Sequence, residues 1–427
     1  MMVKFVCFSK DIISLYLNFI KFSRLSFLMY NLFMLKIFPL IFLYASSLSA
    51  YAQSMENLHQ KAIVADTHND ILSIVAKNGF NLEENLGGKT HTDLTRLKAG
   101  GVDIQVFSVF CNEQYGKGTA FNHALREIDT LQQVAFRNPG KIKLVHNSKE
   151  LRTAIRSGKL AALTGVEGGH MIEDNLDYLD SFYRLGVRYM TLTWNNSTSW
   201  ATSAADESKG QKPFGSTGLT AFGRQVVQRM NQLGMMVDIS HVGEQTFRDA
   251  LITTNKPVIA SHSSVYNLCP HPRNLKDDQI KAIGKNGGVI FINFYPGFID
   301  SNYLRRKETF LQNHKQETDS LVKLNWTAYE VDDWLFKKYP GDVEALRPAL
   351  AQLIDHFDYV IKLIGVDHVG IGSDFDGIDS TPLGLEGVQD FPKITGALLK
   401  RGYSKKDVMK ILGGNFLRVF NSNSTNN

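Results

Sequence analysis

A short apolar run near residue 65 ends in two side chains that commonly bind metal ions. Residues 63–70 read IVADTHND, so His68 and Asp70 stand two positions apart directly after the run. Side chains two positions apart on a strand point to the same face. We therefore expect His68 and Asp70 to share one metal ion.

Four further ionisable residues stand at the ends of other β-branched runs. Three imidazoles and three carboxylates that face one cavity lack partners unless a dication holds them, and such an ion also lowers the pKa of bound water. We expect one ion on His68 and Asp70. A second ion would lie on His241 and His262, with Glu167 as the bridge. The four further residues are Glu167 in GVEGGH, His241 in DISHV, His262 in ASHSS and Asp374 in GSDFDG.

The GVEGGH segment offers two possible ligands. His170 could take the place of Glu167, but two glycines follow Glu167, and glycine allows the backbone to approach a site closely. We therefore favour Glu167. The other histidines lie in loops, in helical segments or before strands, and we expect them to be structural or surface residues: His59, His91, His123, His146, His271, His314, His356 and His368.

Short apolar runs alternate with longer segments of helical spacing along most of the chain. This rhythm is typical of strands that alternate with helices in a parallel sheet. Eight such units predict an α/β fold, a (β/α)8 barrel, whose chemistry lies at the carboxyl ends of the strands. A doubly wound open sheet is the rival, but no Gly-x-Gly-x-x-Gly follows the first run. The eight runs are 63–67, 102–109, 160–166, 187–193, 235–240, 257–261, 288–294 and 369–373.

The segment 296–344 is too long for a simple connection between a strand and a helix. We expect it to form a helical insertion over the barrel mouth. The predicted helices elsewhere are 122–137, 149–157, 174–185, 218–233, 245–253, 275–286 and 345–363.

Residues 1–52 differ in composition from the rest. They hold five Lys or Arg and one Asp, so the formal charge of +5 falls to +1 without them. From Met34 the chain has a basic start, an apolar stretch and an Ala-x-Ala end, which predicts a signal peptide cut before Gln53. The true start would then be Met29 or Met34. An uncleaved anchor is the alternative, but Pro39 interrupts an apolar run shorter than the ~20 residues of a membrane span.

The remaining chain is predicted to be one metallohydrolase domain over 53–420, followed by a disordered tail over 421–427. Its composition, with 43% hydrophobic and 21% charged residues overall, is that of a folded soluble protein. No basic block interleaved with aromatic residues occurs after residue 52, so nucleic acid is not an expected partner. Cys111 and Cys269 are expected to be free thiols outside any zinc-binding spacing.

Seven motifs together resemble the membrane dipeptidase (renal dipeptidase) family of zinc peptidases, which belongs to the amidohydrolase-like metal-dependent barrels. They run in the family's order from about residue 58 to 420. The motifs are DTHND (66–70), GVEGGH (165–170), GVRYMTLT (186–193), VDISHV (237–242), ASHSS with HPRNL (260–275), NFYPGF (293–298) and GIGSDFDG (370–377).

The resemblance implies two zinc ions bridged by Glu167 and a hydroxide that attacks the peptide bond of a dipeptide. His68 and Asp70 would complete one ion's ligands, and His241 and His262 the other's. Catalytic roles fall to Glu167 and to Asp374, which would act as the acid/base that protonates the leaving amine, with Asp376 as the rival. Arg273 in HPRN matches the position that grips the substrate's carboxylate, and Tyr295 would line the same pocket.

One position departs from the family. After YMTLT the family usually has a histidine that contacts the substrate and the tetrahedral oxyanion, and this chain has Trp194. An indole donates one hydrogen bond but cannot carry a positive charge. Asn195 or Asn196 could act as the donor instead. The departure leaves open a related reaction on N-acyl amino acids or lactones, or an inactive metal-binding protein.

The predicted function is hydrolysis of L-L and possible L-D dipeptides by an exported enzyme, in a periplasm or outside the cell. The family's habit predicts a homodimer. No apolar tail of the kind that precedes a lipid anchor follows residue 416, so no stable membrane anchor is expected after signal cleavage.

Overall fold

The computed structural model describes residue 53 and residues 55–424. The signal segment predicted over 1–52 lies outside the described residues. A compact unit begins at Leu58. None of the helices in the described part is long and apolar enough to cross a membrane.

Within the described residues, nine parallel strands form the sheet, and eight of them close into a barrel. The closing order is β1-β2-β4-β5-β6-β7-β8-β9, with β9 paired to β1 through Asp66 and Ile371. All eight predicted runs are barrel strands, so the predicted (β/α)8 fold is confirmed. The strands are β1 (Ala65–Asp66), β2 (Ile104–Phe110), β3 (Ile142–Leu144), β4 (Leu160–Glu167), β5 (Val187–Thr191), β6 (Met236–Asp238), β7 (Ile259–Ser263), β8 (Val289–Ile292) and β9 (Val369–Ile371).

The ninth strand, β3, was not predicted. It pairs only with the first three residues of β4, alongside the barrel wall. Its side chains alternate between Ile142 or Leu144 and lysine, and it is only partly buried. A strand this short and polar lacks the apolar run that revealed the other eight.

Alternate strand residues pack into two separate apolar layers. In β2, Ile104 and Val106 belong to a cluster inside the barrel, whereas Phe107 and Val109 pack against the surrounding helices. Phe416 of the last helix joins the inner cluster, beside residues that begin several strands. The last helix therefore fills the amino-terminal end of the barrel, and the opposite end remains for the site.

Helices connect consecutive strands, close to the predicted positions. For example, the helix predicted over 122–137 spans Ala120–Arg137, and that over 345–363 spans Leu350–Ile364. The other α-helices outside the insertion are Ile71–Asn78, Leu94–Ala99, Ser148–Arg156, Leu176–Arg184, Ala204–Ser208, Ala221–Leu233, Glu244–Thr253, Asp277–Asn286, Phe391–Lys400, Lys405–Met409 and Asn415–Asn423.

The predicted helical insertion is present after β8. It has its own apolar cluster, which includes Tyr303, Phe310 and Leu335. Lys307 connects it to the loop after β9, because its Nζ lies 2.5 Å from Asp379 Oδ2. The insertion therefore packs on the side of the barrel where β9 ends. Its helices are Pro296–Ile299, Tyr303–Asn313, Lys315–Lys323, Ala328–Lys338 and Pro340–Leu346.

The carboxyl end of the domain differs from the prediction. The disordered tail was predicted to begin at residue 421, which is too early, because the last helix continues to Asn423. Asn423 is buried, and its side-chain amide donates to the carbonyl of Pro257 at 3.0 Å. This polar sequence is helical because it packs against the domain, and residues 425–427 lie outside the described residues.

Candidate metal centre

The predicted ligands converge at the carboxyl ends of the barrel strands, although they are far apart in sequence. All five are at most 7% exposed: His68, Asp70, Glu167, His241 and His262. Glu167 is the last residue of β4 and His262 lies within β7, one residue before its end. The barrel therefore brings together the residues that the sequence predicted to share one site.

His68 and Asp70 lie close together, as predicted, but the reason given from strand alternation is wrong, and the metal ion that they would share stays a prediction. Strand β1 ends at Asp66, and Asp70 immediately precedes the helix Ile71–Asn78. A turn, held by the bond from the Asp70 N–H to the Phe375 carbonyl at 2.9 Å, directs the carboxylate back. His68 Nε2 consequently lies 3.4 Å from Asp70 Oδ2.

The two carboxylate oxygens of Glu167 face different histidines. Oε2 lies 3.5 Å from His68 Nε2. Oε1 lies 2.8 Å from His241 Nε2 and 3.3 Å from His262 Nε2. A carboxylate with its oxygens directed to two sets of nitrogens has the arrangement of a bridging ligand.

Two overlapping groups of side chains are close enough to hold an ion each. One consists of His68, Glu167 and His262, and the other of His68, Asp70 and Asp374. These groups differ from the predicted division of the ligands between two ions. His68 belongs to both groups, and Asp374 belongs to the second. Since His241 Nε2 lies 2.9 Å from His262 Nε2, it extends the first group.

Hydrogen bonds to the other ring nitrogen orient His68 for metal binding. Its Nδ1 lies 2.7 Å from the Tyr189 hydroxyl, which donates to the Thr67 carbonyl at 3.2 Å. The Tyr189 oxygen therefore accepts from His68 Nδ1–H, so in the neutral ring the lone pair is on Nε2. Such outer contacts select the tautomer in metal sites.

The same arrangement recurs at the other two histidines. His241 Nδ1 lies 3.2 Å from Asn195 Oδ1, an atom that can only accept. His262 Nδ1 lies 2.8 Å from Ser261 Oγ, which donates its own hydrogen to Asp238 Oδ2 at 2.6 Å. These contacts would keep the hydrogen of each neutral ring on Nδ1 when a metal ion is bound at Nε2.

The three imidazoles of the cluster differ in their affinity for a proton. Burial lowers the pKa of His68, but Tyr189, Asp70 and Glu167 together raise it well above its ordinary value. Burial lowers the pKa of His241 to about 3, and burial together with His68 lowers the pKa of His262 well below its usual range, so both rings are neutral. Burial opposes ionisation of Glu167, but His68 and hydrogen bonds from the other imidazoles hold its pKa well below the ordinary value. The cluster therefore combines two neutral imidazoles, His68 with a raised pKa and the ionised carboxylate of Glu167.

Two polar atoms in the cluster also lack a protein partner. His68 Nε2 and Asp70 Oδ1 are both buried and neither makes a hydrogen bond to a described residue. Buried polar atoms are normally paired, because leaving them unpaired is costly. A divalent cation would satisfy both atoms, so the residues fit the metal that the sequence predicted.

Asp374 faces the cluster, whereas its rival Asp376 does not. Asp374 Oδ1 lies 3.9 Å from His68 Nε2, and its side chain is 13% exposed. Asp376 Oδ1 instead accepts from the backbone N–H of His91 at 2.7 Å. The backbone next to both is tight, because a Cβ at Gly377 would lie 2.2 Å from Asp70 Oδ2.

The alternative ligand His170 points away from the cluster. Its Nε2 lies 3.0 Å from the carbonyl oxygen of Cys111 and 3.4 Å from the Cys111 sulfur. The structure thus places Glu167, not His170, in the cluster of candidate ligands. Cys111 and Cys269 are both free and buried, as predicted.

Arg273 lies beside the cluster as a buried cation. One guanidinium nitrogen donates to the His262 carbonyl at 3.3 Å, and the group stacks over the Phe298 ring at 5.5 Å. Its Nε has no hydrogen-bond partner, and no ion pair joins it to another described residue. Burial lowers its pKa to about 10, so it stays charged at neutral pH.

The other predicted substrate residues lie around the same mouth. Trp194 is half-buried, with its ring 4.9 Å from Phe110 and 6.4 Å from His241. Asn195 is exposed, but its side-chain oxygen is directed to His241. Tyr295 packs on Phe298 at 4.9 Å, next to Arg273. Substrate contact by these three residues stays a prediction.

Tyr189, Asp238 and Ser261 were not predicted, although they orient the ligands. A buried acid in the apolar run MMVDIS was an available signal for Asp238. For Tyr189 the available signal was weaker: it was the glycine at position 165, in the neighbouring strand. A Cβ at Gly165 would lie 2.1 Å from the Tyr189 ring, so only glycine lets the ring cross β4 towards His68.

Comparison with known proteins agrees with this geometry. The chain is 34% identical over 385 residues to an uncharacterised dipeptidase of Schizosaccharomyces pombe, covering 86% of this chain and 82% of that protein. Its fold matches that of a probable dipeptidase, PvdM, from Pseudomonas aeruginosa, with a TM-score of 0.70, 23% identity and coverage of 88% of this chain and 98% of the other.

A second solved structure with this fold is a metallopeptidase from Rhodobacter sphaeroides, crystallised with a phosphinate mimic of the dipeptide L-Ala-D-Ala. The TM-score is 0.68 and the identity 24%, with coverage of 85% of this chain and all of the other. The family profile described as Membrane dipeptidase (Peptidase family M19) matches residues 52–427. The chain therefore belongs to the membrane dipeptidase family of metallopeptidases, family M19.

Proposed function

We propose that this protein is a zinc-dependent dipeptidase that hydrolyses L-L and L-D dipeptides with two zinc ions bound at the described cluster. The observation that carries the substrate assignment is Arg273. It is a buried guanidinium beside His262 that forms no direct ion pair with a described residue, although Asp374, Glu167 and Asp238 are near enough to favour its charged form. Its buried Nε has no hydrogen-bond partner, and such a donor is costly to leave unpaired, so it is available to an anion in the site. The free carboxylate of a dipeptide is such an anion.

Different residues of the chain would have different roles in hydrolysis. His68, Asp70, Glu167, His241 and His262 would hold the ions. When bound, the ions polarise the scissile carbonyl and lower the pKa of the water that attacks it.

Two further residues act on the substrate itself. The Arg273 fork would grip the carboxylate and so fix the peptide bond relative to the cluster. Asp374, whose Oδ1 faces His68, would transfer a proton to the leaving amine.

Trp194 is the basis for a second candidate reaction. Its half-buried indole beside His241 replaces a polar imidazole with a large apolar ring. A site of this kind could favour an N-acyl amino acid, which shares the free carboxylate but has an apolar group instead of the free amine. The Rhodobacter sphaeroides relative was crystallised with a mimic of an L-D dipeptide, which supports dipeptides as the first choice.

The test is hydrolysis of a panel of L-L, L-D and N-acylated dipeptides by the purified protein, with zinc and with a chelator. We expect chelator-sensitive cleavage of the free dipeptides. Cleavage of N-acyl substrates alone would favour the second reaction, and no cleavage by the metal-loaded protein would refute both.

Arg273→Ala and Arg273→Lys, assayed on a dipeptide and on its C-terminal amide, test the carboxylate contact. Both variants should raise the KM for the dipeptide more than the KM for the amide, because only the dipeptide carries the anion. Equal effects on the two substrates would contradict the role of Arg273. The exposed Arg224→Ala is a control for loss of an arginine elsewhere.

The cellular setting is part of the same proposal. We propose export by the signal segment within residues 1–52 to a periplasm or the cell exterior, and assembly as a homodimer. Fractionation of the host cell would check the first, and light scattering of the purified protein the second.

A further inference from the structure

Asn293 is a fully buried amide that follows strand β8 and contacts Asp374. Its Nδ2 donates to Asp374 Oδ2 at 2.7 Å, and it is 0% exposed. Its own backbone is also held, because its carbonyl accepts from Ser264 Oγ at 3.3 Å. The residue therefore belongs to the rigid end of the barrel wall.

The orientation of the Asn293 amide is determined by its second contact. Oδ1 accepts from the backbone N–H of Tyr295 at 2.6 Å, and a backbone N–H can only donate. The NH2 group must therefore face Asp374. A reversed amide would place two donors together and two acceptors together, so the pair of contacts permits one arrangement.

The two oxygens of Asp374 consequently have different surroundings. Oδ2 is held by Asn293, and Oδ1 faces His68 Nε2 at 3.9 Å. The Asp374 backbone is in the left-handed region, with φ of 62°, and its N–H donates to the His68 carbonyl at 3.1 Å. These backbone contacts place the residue but leave rotation of its carboxylate to the side-chain torsions.

We propose that Asn293 is a positioning residue that fixes the Asp374 carboxylate so that one oxygen faces the reacting centre. This inference rests on the proposed function, in which Asp374 moves the proton to the leaving group. Proton transfer requires the donor and acceptor atoms to be within hydrogen-bond reach, and a small misplacement lowers turnover strongly. A neutral amide holds the carboxylate without adding a charge to the metal cluster.

The kinetic test compares Asn293→Ala with the wild-type protein in its metal-loaded form. We expect kcat to fall by about 100-fold, the effect typical of a misplaced reacting group, with KM and bound metal within about twofold. In the Asp374→Asn background the same change should have little further effect, because the two residues act as a unit. Asn293→Asp, which keeps the volume and the acceptor for Tyr295 but loses the donor, should also lower kcat.

The control is Asn415→Ala. Asn415 is another buried asparagine, and its amide donates to the carbonyls of Val366 and Val369 at the opposite end of the barrel. This variant should lower the melting temperature but keep kcat. A merely structural role for Asn293 would make the two variants alike.

A crystal structure of the Asn293→Ala protein supplies a readout that does not depend on activity. We expect the Asp374 carboxylate to be rotated or to occupy two conformers, with the metal ligands unmoved. An unmoved Asp374, or a kcat within twofold of wild type, would overturn the proposal. If the wild-type protein cleaves no dipeptide yet the Asp374 side chain moves in the variant, the proposed function fails while the positioning contact stands.

Discussion

Tyr189→Phe isolates the contact that orients His68. The phenyl ring keeps the packing of a residue that is 0% exposed, but it loses the oxygen that accepts from His68 Nδ1 at 2.7 Å. Without that acceptor, the neutral imidazole can place its hydrogen on Nε2, the atom that faces Asp70 and Glu167. The metal must then compete with this tautomer.

The size of the effect follows from the geometry. His68 belongs to both groups that could hold an ion, so a change in its tautomer affects both. Loss of one outer contact to a metal ligand typically weakens metal binding by roughly 10- to 100-fold. This corresponds to about 1.4 to 2.8 kcal/mol in binding free energy, since each 1.4 kcal/mol is about tenfold. Loss of the two buried hydrogen bonds of the hydroxyl, to His68 and to the Thr67 carbonyl, should lower folding stability by about 1–3 kcal/mol.

The assay is competition for zinc between the protein and a chromophoric chelator, with thermal unfolding of the metal-free protein in parallel. Tyr403→Phe is the control, because its hydroxyl bonds to Asp358 at 2.7 Å, away from the cluster. The control should keep the metal affinity. Zinc affinity of Tyr189→Phe within twofold of wild type would refute the role of Tyr189 in orienting His68.

Three other changes have expected outcomes. Glu167→Gln should abolish binding of both ions and turnover, measured by metal analysis and hydrolysis, whereas the equally buried Glu127→Gln should keep the metal. Gly165→Ala should lower folding stability by roughly 1–3 kcal/mol through overpacking against Tyr189, and it should also weaken metal binding. Gly140→Ala is the control and should be nearly neutral, because a Cβ there meets nothing within 4 Å. Lys307→Met should cost about 3–5 kcal/mol in chemical denaturation, because it leaves the carboxylates of Asp332 and Asp379 without their cation; a loss below about 1 kcal/mol would contradict this reasoning.

The sequence alone indicated which types of residue form the site and in which order they occur along the chain. Apolar runs of strand length predicted eight barrel strands, and the histidines and acids that follow five of these runs include the candidate ligands His68, Asp70, Glu167, His241 and His262. This succeeds because a parallel barrel places the carboxyl end of every strand at one rim. Strand position alone therefore implies spatial convergence.

The tertiary structure alone decided how those residues face one another. Glu167 directs each oxygen to a different set of histidines, and Asp374 turns towards His68 whereas Asp376 turns to a backbone N–H. The two acids stand in the same short motif, so spacing could not separate their roles. Their directions depend on local backbone torsions and on partners from other strands.

The residues that orient the site could not be predicted, for the same reason. Tyr189 reaches His68 across 121 positions of sequence and Asn293 reaches Asp374 across 81. Each looks like an ordinary strand or loop residue when read along the chain. A tautomer or a carboxylate rotamer is selected by the hydrogen-bond partner that the fold brings to it, and that partner is known only when the strands are packed.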